Sequence, residues 1–333
     1  MKVTFAMEIV LRRAFVIWCL SLTAQASLLP AHAQTQQPDS AASSCVSPEM
    51  ARLIVQERDG VRVNSPSQRG NEAAAVRDNA RGVSATKAPE TAETMTEAHK
   101  WFQKAARRGY APAQVNLAVL SLAGWGTRPN AGEALYWLHA AAQQGYAPAL
   151  FDLGIVYLEG CGVRRDYTEA YRFFERGALS GDPAAQMNLG YLYDQGLGVA
   201  QNRSEAAKWY RRAADSGEPR AEFNLADLYL RGEGVPHDES TAFAWFQRAA
   251  LRGHAEARIM VGSMYAAGRG TPADLAAAYM WLSLAALQGD SRANARLEML
   301  RSQMTAEQLE EASGRARSLA QSPKWQPRQS LFH

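Results

Sequence analysis

One helix-length pattern returns every 36 residues, and that fixed step decides what this chain can fold into. It reads TEAHKWFQKAARRG at 96–109, GEALYWLHAAAQQG at 132–145, TEAYRFFERGALSG at 168–181 and SEAAKWYRRAADSG at 204–217, then STAFAWFQRAALRG at 240–253 and LAAAYMWLSLAALQG at 275–289. An aromatic residue stands at Trp101, Trp137, Phe173, Trp209, Trp245 and Trp281, and a closing glycine at Gly109, Gly145, Gly181, Gly217, Gly253 and Gly289. Self-similarity at this period means stacked supersecondary units, none of which can bury its apolar face alone.

Between these helices lies a second kind. Its small residues are Ala113, Ala149, Ala185, Ala221 and Ala257, followed four residues on by Leu117, Leu153, Leu189, Leu225 and Val261. Four further on stand Ser121, Tyr157, Tyr193, Tyr229 and Tyr265. The i, i+4, i+8 stripe is one helix face, and Ser121 is expected to pack less well than the tyrosines. Each of these helices ends in a paired-glycine loop: GWG at 124–126, GCG at 160–162, GLG at 196–198, GEG at 232–234 and GRG at 268–270. The first glycine suits a left-handed helix stop. Asn130, Asp166, Asn202, Asp238 and Asp274 are the expected N-caps of the next helix, with Glu133, Glu169 and Glu205 completing capping boxes and Thr94 with Glu97 matching one unit earlier. The aromatic series reads as core that sets the spacing of the stack.

Outside the array the pattern changes. Residues 1–33 have the form of a secretory signal: Arg12 and Arg13, an apolar run from Ala14 to Leu22, and Ala31-His32-Ala33 before Gln34, with Met7 an alternative start to Met1. The run is too short for a membrane span of about 20 residues, so no stable span is expected after cleavage. Loss of this segment leaves 33 basic and 32 acidic residues, a balance that argues against a nucleic-acid partner held by charge. Residues 34–44 are polar; a helix start is expected at Ser47-Pro48-Glu49, with Met50, Leu53 and Ile54 on one face and Gly60 at its end. A short helix is expected over 71–81 and a linker over 82–93, so that 34–93 forms a leader and N-terminal cap or arm. The array runs over 94–302, with a half unit from Ser291 to Arg301. A capping helix opening at Thr305 and a loose tail fill 303–333.

The catalytic inventory is empty. The GxG pairs follow helices and lack a third glycine, the place being taken by Pro129, Arg165, Gln201, His237 and Ala273. There is no GK[ST], HExxH, CxxC or GxSxG, and the six histidines form no ligand spacing. No cofactor or metal is expected, and the chain is read as a non-enzyme.

The unit AAQMNLGYLYDQGLGVAQNRSEAAKWYRRAADSG at 184–217 resembles the Sel-1-like repeat, a relative of the tetratricopeptide repeat, and the resemblance spans about 94–302. It implies an all-α fold, a right-handed α-solenoid of antiparallel helix hairpins. It also implies an adaptor that binds partner proteins, often exported in bacteria and tied to envelope signalling or host contact. On that reading the partner is an envelope or secreted protein or peptide, and the compartment is periplasmic or extracellular. An envelope-polysaccharide or peptidoglycan binder, or a hydrolase of such material, is the alternative. Cysteine-rich relatives carry cysteine pairs within their repeats, which this chain lacks.

In such arrays the first helices line the concave face, which makes Asn116, Asp152, Asn188 and Asn224 candidates for holding an extended peptide, together with Glu159, Tyr191, Gln195, Asp227 and Arg231. The competing reading has the asparagines bonding between neighbouring repeats. Cys45 and Cys161 either form a disulfide that pins the N-terminal segment to the array or stand too far apart to meet.

Overall fold

The computed structural model describes residues 69–88 and 91–321. The expectations for the signal segment, the polar leader, the helix start at Ser47, the tail with Trp325, and Cys45 lie outside these residues. The described residues fold into fourteen helices and no strand. In chain order these are α1 (Arg69–Lys87), α2 (Ala92–Arg107), α3 (Ala111–Ala123), α4 (Ala131–Gln143), α5 (Ala147–Glu159), α6 (Tyr167–Leu179) and α7 (Pro183–Gln195). There follow α8 (Arg203–Asp215), α9 (Pro219–Arg231), α10 (Glu239–Leu251), α11 (Ala255–Ala267), α12 (Leu275–Leu287), α13 (Ser291–Arg301) and α14 (Ala306–Gln321). They group into two compact units, whose described parts are 69–252 and 253–321.

In the first unit each odd-numbered helix makes a hairpin with the helix after it, and hairpins pack in chain order, the arrangement of an α-solenoid. The loop chemistry explains why the period is so strict. Gly124, Gly160, Gly196 and Gly232 end their helices at φ 70 to 75°, where a side chain is disfavoured. The second glycine of each loop lies against the preceding hairpin. A Cβ on Gly126 would press on the Met95 carbonyl, and one on Gly198 or Gly234 on the backbone at Tyr167 or Arg203. This glycine therefore lets the backbones of successive repeats touch.

The expected N-caps are in place. Asn130, Asp166, Asn202 and Asp238 accept the backbone N–H three residues on. The capping boxes are not formed as expected. Each capping residue already donates its own N–H to a carbonyl of the preceding helix: Asn130 to Ser121, Asp166 to Tyr157, Asn202 to Tyr193. With that donor satisfied, Glu133 instead accepts from the Ser121 hydroxyl, Glu169 pairs with Arg172 and Glu205 with Lys208. Ser121 is fully buried, so the small residue is accommodated through a polar contact across the hairpin. A capping box does form between Thr91 and Thr94, one turn ahead of the expected start.

Two further sequence expectations need correction. The stretch 82–87 continues α1, which packs along α2 as the odd helix of a further hairpin. A Cβ on Gly82 would strike the Phe102 ring, just as one on Gly154 would strike Phe174 and one on Gly190 Tyr210. Asp78 of α1, nearly buried, pairs with Arg108 and Lys104. The second correction concerns the core. Phe173, Trp245 and Trp281 are buried as expected, but the anchors are not its innermost column. The residue after each anchor is: Phe102, Leu138, Phe174, Tyr210 and Phe246 are all at most 1% exposed. Trp101, Trp137 and Trp209 are half-buried, because the ring sits one position round the helix toward its flank. Cations cover what solvent would otherwise reach: Arg81 and Lys104 over Trp101, and Arg212 over Trp209.

The second unit pairs α11 with α12 and folds α13 and α14 onto α12. Ile259, Leu282, Leu297 and Leu300 share its core with Ala278 and Ala312. The helix expected at Thr305 starts there, with reciprocal Thr305–Gln308 bonds.

Candidate partner-binding face

Helices α5, α7 and α9 have 13 residues each and equivalent glycine stops, so equivalent positions present the same face. The structure divides the candidate residues on that face. Asn116 is fully buried and donates to the Asn79 side chain of α1 at 3.1 Å. Asn188, 4% exposed, donates to the Ala184 carbonyl of its own helix at 2.8 Å. Neither amide is presented to a partner; both satisfy groups inside the fold. Asn224 is half-buried and faces the Tyr210 hydroxyl of the preceding hairpin. Bonding between repeats thus accounts for Asn116, while Asn224 lies near the Tyr210 hydroxyl.

The other candidates reach solvent. Asp152, Glu159, Tyr191 and Asp227 are half-buried, and Gln195 and Arg231 are exposed. Three repeats bring several of them together. Burial pushes the Tyr191 hydroxyl's pKa up, and Tyr167, Glu159 and Asp194 push it further against the pull of Arg220. Burial likewise raises the Asp227 carboxyl; Arg231 at 2.9 Å opposes this, while Asp194 and Glu233 add to it. Carboxylates of adjacent repeats therefore crowd one another here, and the available cations are shared. Arg203 bridges Asp194 at 3.2 Å and Glu233 at 3.1 Å.

Asp194 is central to this cluster, and the sequence reading passed over it. The signal was present: Leu122, Leu158 and Leu230 occupy the equivalent place, so an acid there breaks the register. Physically the face can offer carboxylate acceptors, a tyrosine ring and hydroxyl, and one exposed amide to an extended chain.

The remaining chemistry is structural. His99 is buried and its pKa is lowered by that burial, with Glu133 opposing; His139 tilts against Phe173 at 5.6 Å. Among the described residues, no group of three or more His, Cys, Asp or Glu could hold a metal ion. Cys161 is buried in the core of the first unit.

Comparison with known proteins follows the same register. The Sel1 repeat family model matches residues 95–110, 111–146, 147–182, 183–218, 219–254 and 255–290. A Sel1 repeat protein from Oxalobacter formigenes is 31% identical over 66% of this chain and 87% of its own, with a TM-score of 0.57. A protective antigen of uropathogenic Escherichia coli with an SLR fold is 24% identical over 78% of this chain and 64% of its own, with a TM-score of 0.47. An immunity protein from Pseudomonas aeruginosa is 20% identical over 75% and 88%, with a TM-score of 0.42. No curated protein matches the chain.

Proposed function

The chain belongs to the Sel1 repeat family, and from that premise we propose that it is a non-catalytic scaffold of the bacterial cell envelope that holds a partner protein or peptide along α5, α7 and α9. Sel1 repeats generally mediate protein–protein interaction, and the repeat family is generally a non-catalytic scaffold. The observation that carries the placement is the contrast within each hairpin. The repeat positions that hold the stack together are the same in unit after unit. The solvent-reaching positions of the odd helices differ: Asp152, Ile155 and Glu159, then Tyr191 and Gln195, then Asp227 and Arg231. A surface that varies on a constant frame is what a specific partner requires.

The export part of the proposal rests on residues 1–33 and is tested separately. Mass spectrometry of the protein from a periplasmic or culture fraction should find a mature N-terminus at Gln34. An intact leader on protein confined to the cytoplasm would contradict it. The binding face is tested by affinity purification from the envelope fraction with the wild type and a Tyr191→Ala/Asp227→Lys variant of unchanged helicity. A partner recovered with both proteins in equal amount removes this face from the account.

A further inference from the structure

At the repeat position filled by Gln114, Leu150, Gln186, Glu222 and Arg258, two units carry an amide and α9 carries a buried carboxylate. Gln114 donates its Nε2 to the Ala106 carbonyl at 3.2 Å, and Gln186 does the same to Ala178 at 3.2 Å. Each side chain reaches the carbonyl eight residues back, at the C-terminal end of the preceding even helix. Each of those carbonyls also accepts a glycine N–H, from Gly109 and Gly181. Glu222 holds the same position on α9, and the matching carbonyl is Ala214, which accepts from Gly217. A carboxylate cannot donate, so the second donor comes from elsewhere: Arg248 of α10 bonds the Ala214 carbonyl at 3.2 Å. The same guanidinium bonds Glu222 Oε1 at 3.1 Å, and Arg252 bonds that oxygen at 3.2 Å. Glu222 is 0% exposed, and its Oε2 has no hydrogen-bond partner.

We propose that Glu222 is a proton-operated switch: ionised, it holds Arg248 on the Ala214 carbonyl; protonated, it takes that place itself and lets Arg248 go. The proton comes from solvent and resides on one carboxyl oxygen. That O–H then donates to the Ala214 carbonyl as the Gln114 and Gln186 N–H groups do in their own repeats, and no other group gains or loses a proton. The charged groups facing Glu222 are Arg252 and Arg248 from α10. From α8, the other helix packed on α9, comes the Ala214 carbonyl; Arg211 and Arg212 of α8 lie over Trp245 and Trp209 instead. On α9 itself, Glu218 caps the helix and accepts the Arg220 N–H. Burial pushes the Glu222 carboxyl up against the pull of both arginines, so the protonated form is reached at a milder pH than for an exposed glutamate. Release matters because Arg248 also covers the Trp245 ring at 4.1 Å, a ring that Arg211 covers at 4.7 Å. Acidification therefore delivers a mobile cation to the flank of α10.

The test is an NMR titration of the full chain from pH 8 to pH 4, following the Arg248 Nε–H, the Trp245 indole N–H and the Glu222 carboxyl carbon. The three signals should move together with one midpoint. In Glu222→Gln the Arg248 and Trp245 signals should lose that titration and stay near the low-pH positions of the wild type. A wild type in which the arginine signal does not follow the carboxyl carbon overturns the proposal, whether or not the variant folds. So does a Glu222→Gln protein whose Arg248 and Trp245 signals sit at the high-pH positions or still titrate with the wild-type midpoint.

Discussion

Helices α3 and α9 occupy equivalent places in their repeats and have the same length and the same glycine stop, yet they face different surroundings. In α3 every residue from Ala111 to Ser121 is buried and none is charged. In α9 burial is confined to Ala221, Glu222, Leu225, Ala226 and Leu228, while Asp227 and Arg231 reach solvent. Position by position, Val119 answers to Asp227 and the buried Asn116 to the half-buried Asn224. The difference teaches that a repeat's odd helix is available for binding only where nothing else packs on it. At α3, the first hairpin's Asn79 already occupies the amide that a partner would need.

Reciprocal substitutions break or sharpen this contrast. The largest effect should come from Val119→Asp, which places an unpaired charge at a 4% exposed site. A loss of about 3–5 kcal/mol in urea denaturation is expected, the usual cost of an uncompensated buried charge. Next comes Asn116→Ala, which deprives the buried Asn79 of its donor and should cost about 1–3 kcal/mol. The matching Asn224→Ala should cost less than about 1 kcal/mol, since solvent reaches that site. Equal losses at the two asparagines would erase the distinction between the helices.

A smaller effect is one of slope. Glu222 has a raised folded-state pKa, so its contribution is fully present below its unfolded value near 4.5 and is lost as pH rises through the folded value. Thermal melts of wild type against Glu222→Gln should therefore show the wild type losing ground on the variant as pH rises above 4.5. A constant difference across that window would mean that Glu222 does not titrate differently on folding. Smallest of all is Asp227→Val, which should shift stability by only about 0.5 kcal/mol, as surface changes do, while weakening partner capture.

The frame was legible because each device of the repeat has one physical solution. A left-handed helix stop calls for glycine, a helix N-terminus for a short side-chain acceptor, and a close helix crossing for alanine; period then multiplies each signal. What escaped was whatever depends on a second element. α1 lacks the alanine and leucine anchors, with Arg77 and Arg81 in their places. Only Gly82, 36 residues ahead of Ala118 and 72 ahead of Gly154, marks it as an odd helix. The capping glutamates looked reciprocal because the sequence does not show that the Asn130 amide is already bonded to Ser121. Trp209 looked like core because it is the larger ring, yet a helix turns about 100° per residue, and that step puts Tyr210 inside. On the candidate face, composition marked Tyr191 and Asp227, but Asp194 emerges only when three repeats are set side by side.

The central claim is that partners engage the odd helices of α5 to α9. A photoreactive phenylalanine analogue placed at Tyr191, and in a separate protein at the 65% exposed Tyr136 of α4, tests it most directly in cells. The account predicts one partner adduct from position 191, diminished by Asp227→Lys in the same chain, and none from position 136. An adduct at 136 with none at 191, or one at 191 indifferent to Asp227→Lys, would contradict it.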